Sequence, residues 1–344
     1  MTFKQLTGAL AFAALLYAPA GADAATELNM QVYFGPTQAL AKDVFIPWVN
    51  ELKEKTNGEL IVHMQHGAAV VAMNQTDSAV RDGLLDIATW NAAVSPKQYP
   101  HLTVSATPNL VENPLKGTAF NMKMYSDFEE VKKEVERPGI PIAMWSAGTP
   151  QFYSKFPIRK PEDLKGHRIM VIMGSDAKVV EKLGGIPVKV QPPDVYVGLQ
   201  RGMGDAVVTA APSAVNLQIQ DLVKYITPYC TGAFMLCTIN RDSYANIPEA
   251  SRKVFDESIK NLSVKAAQAL NKESNNAVKI FTDAGVEYLS LTEEESAAWS
   301  KALDIASDDS FWVQDLKSFG IKDAQAWLKK AEDLYKTIEA LPAE

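Results

Sequence analysis

Two blocks of alternating strand and helix patterns occur along this chain, and they limit its possible folds more than any other feature. In each block, short apolar strand patterns alternate with stretches whose apolar residues recur at helical spacing. The strand patterns fall at 29–34, 60–65 and 86–90 in the first block, and at 168–172, 187–190 and 205–209 in the second. This alternation is typical of α/β lobes with largely parallel sheets, so the sequence predicts an α/β fold with two such lobes.

The N-terminal residues 1–24 have the features of a secretory signal peptide. A lone Lys4 precedes an apolar run at 6–20, and Ala22 and Ala24 complete an A-x-A cleavage pattern. The run is short for a transmembrane helix, and no other stretch approaches the roughly 18 apolar residues that a span needs. We therefore expect an exported chain of about 320 residues, long enough for two ordinary domains.

The overall composition is that of a globular protein, with 47% hydrophobic and 22% charged residues. The formal net charge is −7, and no Lys/Arg block is dense enough to bind a phosphate backbone, so no nucleic-acid partner is expected. Cys230 and Cys237 are the two cysteines. They leave two interpretations open, a disulfide formed in an oxidising compartment or two small buried side chains.

One long helical pattern runs over 248–283, with Pro248 in its first turn. At 1.5 Å per residue a continuous helix would be roughly 50 Å long, which exceeds the width of one lobe. It is therefore predicted to cross both lobes as a strut. The remaining residues, 292–341, have a helical and acidic pattern.

Four motifs occur in the same order as in a known family. They are the segments 50–60 (NELKEKTNGEL), 83–88 (GLLDIA), 157–166 (PIRKPEDLKG) and 195–202 (VYVGLQRG) followed by Asp205. Together they resemble the DctP family, the solute-binding proteins of TRAP transporters, and the similarity covers essentially the whole chain after the signal peptide.

The resemblance implies a two-lobed periplasmic binding protein fold with a long helix spanning both lobes. It also implies integral-membrane TRAP transporter subunits as partners. We further expect a monomer in the periplasm that binds a small-molecule ligand and holds no cofactor and no metal. The predicted division gives 25–147 and 236–275 to the first lobe, and 148–235 and 276–344 to the second. Hinges are expected near Ala147 and Met235.

The chain departs from the family at the positions that usually hold a carboxylate. The arginine expected on the strand after the Leu-Lys-Gly motif is Met170, and the second common cationic position falls at or beside Pro150. An amide of the family becomes Thr209, and a polar position of the first lobe falls at Asn91. Because a thioether cannot replace the bidentate donors of a guanidinium, a dicarboxylate or sugar-acid ligand is disfavoured.

The predicted ligand-binding residues lie at or near strand ends beside the expected cleft. They are Phe34, Trp90, Asn91, Trp145, Gln151, Tyr153, Met170, Thr209 and Phe234. The aromatic rings fit either contact with a ligand ring or ammonium group, or ordinary core packing. The segment with Gln151 and Tyr153 fits either a pocket wall or a half-buried edge strand. Arg168 is interpreted as a surface residue at the entry of its strand rather than as a replacement for the missing arginine.

The sequence lacks the motifs of common enzymes: it has no HExxH, GxSxG, P-loop or GxGxxG pattern. We therefore predict a non-enzymatic receptor that closes around one small organic molecule. An aromatic or apolar organic acid held by neutral donors, or an amine or neutral metabolite, fits the pocket. Two alternatives use the same fold, a ligand sensor for a membrane signalling receptor and an extracytoplasmic enzyme.

Overall fold

In the computed structural model of the protein, the described residues are 25–343 except 109, 149, 173, 230 and 306. The predicted signal peptide and Cys230 therefore lie outside the described residues. Within the described part, no helix combines the length and the apolar character that a membrane span requires.

Eleven strands and thirteen α-helices make up the described part of the chain. The strands are β1 (Thr26–Val32), β2 (Leu60–His66), β3 (Ile87–Asn91), β4 (Ile140–Trp145), β5 (Pro150–Ser154), β6 (Arg168–Val171), β7 (Ile186–Lys189), β8 (Ala206–Ala210), β9 (Tyr225–Pro228), β10 (Met235–Ile239) and β11 (Glu287–Tyr288). The helices are α1 (Ile46–Lys55), α2 (Thr76–Arg81), α3 (Pro114–Asp127), α4 (Glu129–Val135), α5 (Gly174–Lys182), α6 (Val195–Gln200), α7 (Ala211–Asn216), α8 (Arg241–Ala245), α9 (Glu249–Ile259), α10 (Leu262–Asp283), α11 (Glu293–Leu303), α12 (Phe311–Ser318) and α13 (Ala324–Lys336).

The strands form two sheets, one in each lobe. In sheet A, the order is β2-β1-β3-β10-β4, and β10 runs antiparallel to the other strands. In sheet B, the order is β11-β9-β5-β8-β6-β7, and β5 is the antiparallel strand. The predicted α/β fold with two lobes and largely parallel sheets is thus confirmed.

The interpretation of β5 as a half-buried edge strand is wrong. Pro150–Ser154 pairs with β8 on one side and with β9 on the other, and its side chains from Gln151 to Ser154 are buried. Its two partners come from 206–210 and 225–228, so a local sequence pattern cannot reveal that the strand is central.

The long helix predicted over 248–283 is two helices. The break falls at Lys260 and Asn261, where Asn261 has a non-helical backbone (φ −108°, ψ 7°). The second helix, α10, has 22 residues and is about 33 Å long. It still spans both lobes, because Leu262 and Ala266 pack in the core on sheet A while Phe281 packs in a core on sheet B.

The last helix, α13, packs on the first lobe, whereas the predicted division gives all of 276–344 to the second. Trp327 of α13 packs edge-on against Phe128 with ring centroids 5.3 Å apart, and Tyr335 packs against Phe120 at the same separation. Helix α11 packs on sheet B through Trp299, and α12 contacts both lobes, with Val313 in a core of the first lobe and Phe311 against the core on sheet B. The chain therefore returns to the first lobe after α11, and the apolar face of α13 fixes that return.

Candidate functional site

The two lobes meet at the carboxyl ends of their parallel strands. One connection runs from the end of β4 at Trp145 to the start of β5 at Pro150, and a second runs from the end of β9 at Pro228 to the start of β10 at Met235. Five residue steps span at most about 18 Å, so the two sheet edges lie close together. In α/β proteins, ligands bind outside the carboxyl ends of strands, and here two such edges face one cleft.

A buried polar network, the hinge network of Ser105, Thr118, Asn121 and Ser146, holds both connections where they leave the first lobe. The Asn121 side-chain amide donates to the carbonyl oxygens of Trp145 (3.1 Å) and Ala233 (3.0 Å), and it accepts from the Ser105 hydroxyl (2.7 Å). The Ser146 backbone N–H donates to the Thr118 hydroxyl (2.9 Å). All four network residues are fully buried.

Two glycines allow this close approach of the connections to α3. A Cβ atom on Gly117 would lie 2.5 Å from Val111 and 2.6 Å from the Ser146 hydroxyl, and a Cβ atom on Gly232 would lie 2.8 Å from the Ser105 carbonyl oxygen. The first connection is therefore tightly packed against the first lobe up to Ser146, and the second connection is tightly packed from Gly232 onward. We expect bending beyond these points, at Ala147–Gly148 and before Gly232 rather than at Met235.

Helix α10 closes one side of the cleft, and a cavity lies on each side of it. The larger cavity, about 1030 Å³, is lined from the first lobe by residues such as Gln38 and from the second by residues such as Ser213. The smaller, about 380 Å³, lies between Asn113 at the start of α3 and Gln151 of β5. Asn271 and Asn275, one turn apart on α10, line both cavities. Their i, i+4 spacing within a helical pattern is a signal that the sequence analysis did not use.

In the first lobe, the predicted residues Phe34 and Trp145 pack with Phe45 in a buried aromatic cluster of the core. The ring centroid of Phe45 lies 5.5 Å from Phe34 and 5.7 Å from Trp145. Tyr33, which sequence reasoning missed, packs against Phe34 and keeps part of its surface exposed. Burial of its hydroxyl raises the pKa of Tyr33, and the nearby Trp145 N–H opposes this rise. That indole N–H does not reach hydrogen-bond geometry with any described acceptor.

Three further predicted residues of this region have structural roles. Trp90 is buried on the other face of sheet A, where its indole N–H donates to the Thr238 hydroxyl at 2.9 Å. Phe234 lies in the same buried cluster. Asn91 is partly exposed at the end of β3 and accepts from the Ala93 backbone N–H at 2.9 Å, which caps a short turn. Core packing therefore accounts for Trp90 and Phe234.

In the second lobe, the predicted residues Gln151, Tyr153, Met170 and Thr209 lie on one face of sheet B. Gln151 and Thr209 are register partners, and the Tyr153 hydroxyl donates to the Gln151 side chain at 2.9 Å. Gln151 is 7% exposed and lines the smaller cavity, whereas Tyr153 is fully buried against Phe281. These placements leave ligand contact by the predicted residues a prediction.

Met170 is a fully buried core residue in this structure. Its side chain fills the space beside two glycines, since a Cβ atom on Gly198 or Gly204 would lie within 2.5 Å of it.

Arg168 begins β6, at the edge of sheet B away from the cleft. Half of its side chain is exposed, and it lies 4.0 Å from the Asp205 carboxylate. The interpretation of Arg168 as a surface residue agrees with this position.

Sequence reasoning also missed Asp176, which lies in the first turn of α5 just after β6. It is 8% exposed, and burial raises the pKa of its carboxyl to about 7. A single aspartate in an amphipathic helix pattern gives no sequence signal that it will be buried.

Elsewhere, Cys237 is a buried free thiol, and its burial raises the pKa of the thiol. Among the described residues, no group of three or more His, Cys, Asp or Glu side chains is arranged to hold a metal.

Two α/β lobes, a cleft between their strand ends and a shared helix define a two-lobed binding protein. The family model of bacterial extracellular solute-binding proteins, family 7 (DctP) matches residues 32–312. The chain belongs to this family, and the resemblance drawn from the four motifs is confirmed. It is a solute-binding receptor of the TRAP type.

Individual relatives are distant. A solute-binding protein of Albidiferax ferrireducens is 22% identical over 279 residues, which cover 79% of each chain. The C4-dicarboxylate-binding periplasmic protein DctP of Rhodobacter capsulatus is 25% identical over 183 residues, 51% of this chain and 54% of its own.

Solved structures share the fold at low sequence identity. A TRAP periplasmic solute-binding protein from Desulfovibrio salexigens has a TM-score of 0.79 at 19% identity and covers 91% of this chain and 96% of its own. A marine metagenome TRAP protein specific for aromatic acid ligands has a TM-score of 0.72 at 21% identity, with coverages of 91% and 99%.

Proposed function

We propose that this protein is a periplasmic receptor that captures a small organic solute between its lobes and delivers it to the membrane subunits of a TRAP transporter. The observation that carries the proposal is the pair of sheet edges facing one cleft, with both connections held by Asn121. A cleft with a fixed pivot suits closure by hinge motion. The family of receptors to which the chain belongs supports capture and delivery over catalysis.

The ligand, in this proposal, is not a dicarboxylate or sugar acid held by an arginine. Met170 is packed in the core, Pro150 offers no cation, and Arg168 lies at the far end of its strand. Burying a carboxylate without a charged or strong hydrogen-bonding partner is unfavourable by several kcal/mol. An aromatic or apolar acid held by neutral donors, an amine, or a neutral metabolite fits better.

A thermal-shift screen of the protein purified from the periplasm tests this proposal. We expect an aromatic acid, an amine or a neutral compound to raise the melting temperature, while succinate and galacturonate leave it unchanged. A ligand at 100-fold over its dissociation constant adds about 2.7 kcal/mol to the free energy of unfolding, which gives a clear shift. Dicarboxylates as the strongest hits would contradict the ligand class, and a broad library without hits would contradict solute capture.

The variant Arg168→Ala tests the placement of the cleft. Its side chain is exposed at the sheet edge away from the cleft, so the affinity for any solute found in the screen should stay within about twofold. The free energy of unfolding should change by less than about 1 kcal/mol, as expected for an exposed ion pair. Isothermal titration of the variant measures the affinity, and a tenfold loss would show that Arg168 reaches the ligand.

A further inference from the structure

The smaller cavity is lined by neutral polar side chains that come from both lobes. Asn113 of α3 belongs to the first lobe and Gln151 of β5 to the second, while Asn271 and Asn275 lie on the shared helix α10. Its volume of about 380 Å³ falls within the range of small-molecule sites. A small molecule in this cavity would therefore contact both lobes at once.

The Gln151 side-chain amide has a fixed orientation at the wall of this cavity. Its oxygen accepts a hydrogen bond from the Tyr153 hydroxyl at 2.9 Å, and the residue is 7% exposed. Its nitrogen donates to none of the residues that the structure describes, and it is not closed off from the open space that Gln151 lines. Buried donors normally have partners, so the two N–H groups of this amide await an acceptor in the cavity.

Asn113 has the same arrangement on the side of the first lobe. Its side-chain oxygen accepts from the Lys116 backbone N–H at 2.9 Å and so caps α3. Its side-chain nitrogen has no partner within the described part of the chain. The protein's own donors therefore occupy the oxygens of both amides, and each lobe presents an N–H donor group to the cavity.

The one charged residue among the described lining residues does not change this preference. The Glu112 carboxylate pairs with Lys116 at 2.9 Å, and its side chain is 57% exposed, so solvent screens its charge. Asn113 stands at the N-terminus of the 14-residue helix α3, where the helix dipole favours negative charge. An oxygen acceptor is complementary to this lining, whereas an ammonium group would face N–H donors.

We propose that the smaller cavity binds the oxygen acceptor of the ligand, either a carboxylate or an amide carbonyl, through the side-chain nitrogens of Gln151 and Asn113. Tyr153 is a positioning residue, because its hydroxyl holds the Gln151 amide with the nitrogen toward the cavity. This inference rests on the proposed function and narrows its ligand class, since it excludes an amine as the group bound here.

Matched probes test which chemical group the cavity binds. Benzoate, benzamide and benzylamine share one ring, and cyclohexanecarboxylate, cyclohexanecarboxamide and cyclohexylmethylamine form a second set. At pH 8, we expect the carboxylate or the amide of at least one set to raise the melting temperature, while the amine of that set leaves it unchanged. The two oxygen-bearing members of a set show whether the ligand is an acid or a neutral amide.

The variant Gln151→Glu keeps the shape of the side chain but replaces its donors with an acceptor. Titration calorimetry should show at least a tenfold loss of affinity for the oxygen-bearing probe and a gain of affinity for the matched amine. A folding defect would not reverse the preference in this way. Gln200→Glu makes the same change at an exposed residue at the end of α6, and it should leave both affinities unchanged.

The variant Tyr153→Phe tests the positioning role. Without the hydroxyl, the Gln151 amide can turn its oxygen toward the cavity. The affinity for the oxygen-bearing probe should fall about threefold or more, and the amine should now raise the melting temperature. An unchanged preference in this variant would contradict the role of Tyr153.

The remaining outcomes separate this inference from the proposed function. If an amine is the only member of its set that binds, or if Gln151→Glu binds the oxygen-bearing probe as tightly as the unmodified protein, the inference is wrong and solute capture stands. If neither set binds, a hit from the library screen replaces the probes, and a hit without a carboxylate or carbonyl oxygen contradicts the inference in the same way. If no probe or library compound binds, both proposals fail.

Discussion

Replacing Asn121 by alanine should lower the free energy of unfolding by about 3 kcal/mol or more. The variant leaves the buried carbonyl oxygens of Trp145 and Ala233 and the Ser105 hydroxyl without their partner. Each unsatisfied buried polar group costs about 1–3 kcal/mol, and the cavity left by the side chain adds to the loss. Thermal and urea unfolding of the purified variant measure the effect.

Asn113→Ala is the matched control for this prediction. Asn113 caps the N-terminus of the same helix, α3, and accepts one hydrogen bond from the Lys116 backbone N–H at 2.9 Å. Loss of such a cap typically costs about 1 kcal/mol. Equal losses for the two variants would show that the hinge network contributes no more than an ordinary helix cap.

Replacing Asp176 by asparagine should stabilise the ligand-free protein at pH 8 and have little effect near pH 4. Burial raises the pKa of Asp176 to about 7 in the folded protein, above the value of about 3.9 expected in the unfolded chain. As the pH rises, the Asp176 carboxyl group therefore loses its proton in the unfolded chain before it does so in the folded protein. The free energy of unfolding of the unmodified protein falls for this reason between about pH 4 and pH 7. Three pKa units correspond to roughly 4 kcal/mol, which is the upper limit of the gain.

Melting temperatures of both proteins between pH 4 and pH 8 measure this difference. Asp194→Asn, which makes the same change at an exposed aspartate, is the matched control. A difference between Asp176→Asn and the unmodified protein that stays constant over this pH range would mean that Asp176 titrates normally.

Local patterns predicted six strands and the α/β alternation of both lobes, but not the pairing between distant segments. The alternation of strands and helices is visible in the sequence because the spacing of apolar residues depends only on which face of each element is buried. The central position of β5 depends on β8 and β9, and the return of α13 to the first lobe depends on contacts with α3. No proline or glycine stands at the break near Asn261, so the helical pattern of the sequence continues across it without a signal.

The candidate site was predicted less completely than the fold, because a strand position does not specify the face to which a side chain points. Trp90 and Phe234 occur at strand ends, yet both pack in a core. Met170 was expected to line the pocket from its family position, but two nearby glycines leave a space in the core that its side chain fills. Asp176 becomes visible only when its burial is known.

The place of β10 in the middle of sheet A has a consequence for the order of folding. The strands β3 and β4 come from 87–145, but they are joined through a strand at 235–239 that follows almost the whole second lobe in the sequence. The first lobe therefore cannot complete its sheet until residue 239 is available, whereas five of the six strands of sheet B lie within 150–228. Contacts between such distant segments slow folding. The N-terminal half of a nascent chain of this kind stays incomplete until late in synthesis, so the unfolded segment remains available for the export proposed above.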